Sequence, residues 1–134
     1  MNKLFISLVL VFISFQGFGQ EFITDDNFDA KINEKHAFGD DDQNIVVVEF
    51  WAKFNDVNAF QDWDKVQGVK YFRVDIAKSP EAKKKYRIRM APTIIVFNKG
   101  IKEDSWKAGL DLECPVDLEE LQEAIEEVKT ADKF

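Results

Sequence analysis

The chain has 134 residues, with 18 Lys and Arg against 25 Asp and Glu, and a net charge of −7 with its single His neutral. That acidic balance, with no basic run carrying interleaved aromatics, excludes nucleic acid as a partner class. One cysteine excludes an intramolecular disulfide, so stability must come from an apolar core, which 13 Phe and 3 Trp can fill in a chain the size of one domain.

Lys3 followed by the apolar run Leu4 to Phe15, with Gly17 and Gly19 at the positions a signal peptidase inspects, reads as an export signal over residues 1–19. The run is shorter than the roughly 20 residues of a membrane span. The expected product is one domain, residues 20–134, soluble in a periplasm or outside the cell and without membrane insertion. Losing Lys3 makes it one charge more negative.

Glu21-Phe22-Ile23 is expected to be a short strand. Thr24 is the expected cap of a helix whose face is Phe28 and Ile32, with Ala30 and His36 as further candidates. Gly39 to Asn44 is a polar loop; its Asp40-Asp41-Asp42 run lacks the glycine and terminal glutamate spacing of a calcium loop. Ile45 to Trp51 is a continuous β-branched run, the pattern of a strand buried on both faces, with Glu49 as its one charge. From Asn55 the period becomes three: Val57, Phe60, Trp63 and Val66 suggest a short helix ended by Gln67-Gly68.

Val69 to Ile76 alternates as a strand. Ser79-Pro80-Glu81 opens a helix, with a cap, a proline and an acid in preferred positions. Thr93 to Phe97 and Ile101 to Ala108 are strands joined by an Asn98-Lys99-Gly100 turn. Asp117 with Glu120 forms a capping box before an amphipathic helix of Leu118, Leu121, Ala124, Ile125 and Val128. This order predicts a three-layer α/β domain with a mixed sheet. None of these features sets an oligomeric state.

Thr24-Asp25-Asp26-Asn27-Phe28, Val48-Glu49-Phe50-Trp51-Ala52, Tyr86-Arg87-Ile88-Arg89, Ala91-Pro92-Thr93 and Phe97-Asn98-Lys99-Gly100 follow one another as in thioredoxins. The chain resembles that family over essentially all of residues 20–134. The resemblance implies the thioredoxin fold, α/β/α around a mixed sheet of four to five strands, with no cofactor and no metal. It places the family's Cys-x-x-Cys at Asn55-Asp56-Val57-Asn58, so both thiols are replaced by amides that transfer no electrons. Asn55 is expected instead to act as a helix cap.

The family's buried acid and the lysine beside it match Glu49 and Arg73. A guanidinium does not titrate near neutral pH, so the preferred reading is a structural ion pair, the alternative an acid/base site at Glu49. Pro92 matches the family's cis proline, which lines a groove for extended peptides. The resemblance thus implies a binding groove of Trp51, Phe54, Asn55, Asn58, Ala91 and Pro92, with an exported protein or extended peptide as its partner. Between the motif and Val74 the chain is about two helical turns shorter than the family. The link from Gly109 to Asp117 is longer and carries Cys114. That thiol is the centre of a competing reading, thiol exchange by one cysteine, although Asp111 and Glu113 beside it oppose a thiolate.

Overall fold

In the computed structural model, which describes residues 21–34 and 44–131, the apolar run Ile45–Trp51 (β2) is the central strand. Every residue from Ile45 to Phe50 is buried, because strands flank β2 on both sides and helices cover both faces. The other strands are β1 (Glu21–Ile23), β3 (Lys70–Asp75), β4 (Thr93–Asn98) and β5 (Ile101–Lys107). They form one sheet in the order β1-β3-β2-β4-β5. The first three in that order run parallel, and β4 and β5 are antiparallel to their neighbours.

Alternation along the strands divides the core in two. Val46, Val48 and Phe50 face one side, where they meet Phe28 and Ile32 of α1 (Phe28–Ile32) and Ala82 of α2 (Pro80–Lys85). Ile45 and Val47 face the other, against Phe60 and against Leu121 and Ile125 of α3 (Leu118–Ala131). The result is three layers. Glu49 falls on the same alternation as Ile45 and Val47, which sends a charge into the second core.

The hairpin between β4 and β5 turns on Lys99 and Gly100, both at positive φ (53° and 78°), the conformation of the two-residue turns that match strand twist. β5 lies at the edge, exposed from Ile101 to Asp104, and its pairing slips by one residue at Val96/Phe97.

Several local expectations are corrected. Thr24 does not cap α1; its N–H donates to Asn27 Oδ1 at 2.8 Å, and Asn27 holds the cap position. Ala30 is exposed, while Phe28 and Ile32 carry the helix face. The helix expected after Asn55 is instead two short 3₁₀ turns, Lys53–Asn58 and Trp63–Lys65, whose three-residue period matches the observed spacing. Val57 stands outside the apolar face, 82 % exposed. Ser79 precedes α2 without capping it. The carboxylate of Asp25 accepts the Glu81 and Ala82 N–H groups instead, at 3.0 and 2.9 Å.

Asp117 accepts the Glu120 N–H at 2.8 Å, while the Glu120 carboxylate takes the Trp106 indole at 3.2 Å. The expected export signal, His36 and the Asp40–Asp42 turn lie outside the described residues.

Candidate functional site

β2 delivers Trp51 to the end of the sheet, and the chain turns at once into Lys53–Asn58. Asn55 breaks that turn with non-helical φ −119° and ψ 26°, and its side chain bonds to that of Asn58 and to distant carbonyls. It does not act as a cap. Its amide nitrogen donates to Ala91 O at 2.8 Å and Leu112 O at 2.9 Å, and its Oδ1 accepts from Asn58 Nδ2 at 2.8 Å. Two carbonyls facing one amide require the NH₂ group there, which fixes the orientation of Asn55.

Asn55 thus stands beside the Ala91–Pro92 bond, which is cis, and Asn58 is bonded to Asn55. Thr93 Oγ1 donates to Met90 O at 2.6 Å and closes the loop around that bond.

Of the six groove residues, Asn55, Ala91 and Pro92 are buried, Trp51 and Asn58 are partly exposed, and Phe54 is 79 % exposed. The loop after β5 touches this cluster, since Leu112 O accepts from Asn55 directly. The accessible part of the site carries two strongly exposed apolar side chains, Phe54 and the neighbouring Val57, beside exposed Asp56 and partly exposed Trp51 and Asn58.

Beneath Trp51 lies a charged network. Glu49 and Arg73 are opposite residues on β2 and β3, and Arg73 Nη2 meets Glu49 Oε1 at 3.1 Å with both side chains buried. Tyr71, two residues before Arg73 on the same strand face, donates its hydroxyl to Glu49 Oε1 at 2.7 Å, and the Phe60 N–H donates to Oε2 at 3.2 Å. These three donors replace the water that the carboxylate loses on burial. Asp56 accepts the Trp51 indole N–H at 2.7 Å and sits 3.9 Å from the Arg73 guanidinium. That guanidinium lies 5.9 Å from the rings of both Phe22 and Trp51.

Sequence reasoning missed Tyr71, Asp56 and Leu112. Strand alternation from Arg73 points to Tyr71; no pattern in the sequence points to Leu112.

Burial and the Glu49 carboxylate push the Tyr71 hydroxyl far above its ordinary range, so it remains a donor. Cys114 is half-buried against the second core, and Sγ donates to Val116 O at 3.3 Å. Burial raises its pKa, and the charges of Glu49 and Asp117 add to the rise. The acids that act on Cys114 are therefore Glu49 and Asp117, not Asp111 and Glu113 as the sequence suggests; folding brings the former close.

The polar groups of the site are two amides bonded within the molecule, a fully buried paired carboxylate and a protonated thiol. They offer no nucleophile that is ready at neutral pH. Among the described residues no helix is long and apolar enough to cross a membrane.

The Thioredoxin family model matches residues 20–127. Among solved structures the chain is similar to a designed protein, at 18 % identity and a TM-score of 0.62, covering 82 % of this chain and 97 % of that one. It is also similar to thioredoxin f2 of Chlamydomonas reinhardtii, at 16 % identity and a TM-score of 0.52, covering 69 % and 88 %. No curated protein matches. At such identities the structural likenesses speak for the fold alone, and the family match, which spans most of the sequence, establishes that the chain belongs to the thioredoxin family.

Proposed function

We propose that this protein is exported and works as a thioredoxin-fold binding module without dithiol chemistry, holding an extended segment of another exported protein in the cell envelope or outside it. The observation that carries this reading is the hydrogen-bonded Asn55–Asn58 pair, tied through Asn55 to Ala91 O, at the positions where the family resemblance puts the two thiols. Exposed Phe54 and Val57 supply the apolar contact that a partner would cover. The leader-like residues 1–19 motivate export.

Purified residues 20–134 should fail to reduce insulin with dithiothreitol as electron source, and should retain partners in a pull-down from the envelope fraction of the source cells. Retention should survive reducing conditions and Cys114→Ala. Insulin turnover abolished by Cys114→Ala would replace this reading with thiol exchange through Cys114.

A further inference from the structure

Residues 109–115 cross from the end of β5 to the α3 cap as a strap over the site. Its internal bonds are local: the Leu112 N–H donates to Gly109 O at 3.0 Å, and the Glu113 N–H to Asp111 Oδ1 at 3.0 Å. Among the described residues, two hydrogen bonds leave this strap: the Cys114 thiol donates to nearby Val116 O at 3.3 Å, and Asn55 Nδ2 donates to Leu112 O at 2.9 Å, which alone ties the strap to a segment distant in sequence. The accepting residue is strained: Leu112 has φ 60°, a left-handed conformation in which its Cβ crowds the backbone. Leu110, two residues earlier, is 97 % exposed.

The same Asn55 nitrogen holds Ala91 O, and Asn55 and Ala91 are only 7 % and 3 % exposed with the strap in place. One amide thus joins two segments that are far apart in sequence, and one of them carries backbone strain that this bond offsets. Loss of the bond removes the opposing term and frees the strap to relax.

We propose that residues 109–115 are a latch, closed by Asn55, that opens to admit an extended segment of a partner to the Ala91 backbone. The gating role rests on the binding reading above; the latch itself does not. The groove is self-occupied at rest, and a partner competes with Leu112 for the Asn55 amide.

Cys114, half-buried at the end of the strap, reports opening. Its alkylation by iodoacetamide should be measured at fixed pH in the wild-type chain and in Asn55→Ala and Asn55→Asp, with far-UV circular dichroism to verify folding. Both substitutions should raise the rate about fivefold to tenfold, the factor that the net contribution of one hydrogen bond makes to an opening equilibrium. Unchanged rates in both folded variants overturn the latch.

Native-state hydrogen exchange on the wild-type chain tests the same point without substitution. The Leu112 and Glu113 amides should exchange through an opening more frequent than that of the β2 amides, and exchange at the β2 rate overturns the latch. Reduced carboxymethylated lactalbumin, a permanently unfolded probe, then tests gating. Tighter binding by the Asn55 variants supports it; equal affinity, or no binding by any of the three proteins, refutes gating and leaves the alkylation result to decide the latch.

Discussion

Glu49 and Arg73 face each other in register across β2 and β3 and meet at 3.1 Å inside the second core. Either charge alone would be left buried without its counter-ion. Arg73→Met or Glu49→Leu should therefore each cost about 3 to 5 kcal/mol, and the double substitution clearly less than the sum. Urea titrations of the four proteins measure this coupling, and additive losses would mean that the two charges do not stabilise each other.

Asn55 and Asn58 touch through their side chains at 2.8 Å, one 3₁₀ turn apart. In a Cys114→Ala background, Asn55→Cys with Asn58→Cys should form a disulfide on air oxidation and give insulin reduction, whereas either single substitution should not. Mass measurement after alkylation counts the free thiols. Two free thiols that persist in air would show that the turn cannot close a disulfide.

Asp25 caps α2 from 56 residues away in sequence, and the Ser79 hydroxyl beside that helix is buried with no hydrogen-bond partner among the described residues. Asp25→Ala should cost about 1 kcal/mol, with an upper range near 2. Ser79→Ala should be neutral or slightly stabilising, since it removes a buried group that makes no bond. Reversal of that order in thermal melts would return the cap to Ser79.

Tyr71 and Cys114 both have raised pKa values in the folded state. Each is neutral when protonated, so above the unfolded pKa the folded state binds more protons than the unfolded one, and stability falls as pH rises. The fall should begin near the ordinary thiol value of about 8.5 and steepen near the ordinary tyrosine value of about 10. Melting temperatures from pH 7 to 11 should show this decline, and Tyr71→Phe should remove its steeper part. An unchanged slope in that variant would clear Tyr71 of the effect.

The strands and the long C-terminal helix were legible because each carries its signal within a few residues. Ile45 to Phe50 declares burial on both faces, Lys99-Gly100 declares a turn, and Asp117 precedes Leu118, Leu121 and Ile125 at helical spacing. What the sequence concealed involves partners at long separation. Asp25 takes over the cap that Ser79 is placed to supply, and Leu112 reaches Asn55 across 57 positions. The spacing of Val57, Phe60, Trp63 and Val66 suggests one short helix, whereas its period of three is that of the two 3₁₀ turns found. In the site, the nearness of Asn55 to Ala91 followed from the family resemblance, whereas the role of the Asn55 amide did not, because a side-chain bond to a distant carbonyl leaves no spacing pattern.

The edge strand β5 shapes how this sheet meets other chains. At seven residues it is long enough to template a foreign strand, yet Lys102, Glu103 and Asp104 stand in its exposed stretch and the slip at Val96/Phe97 bends the ladder. An incoming strand must strip water from those charges and follow a curved guide. The sheet therefore ends at β5, whose charges and bend oppose pairing with a further strand.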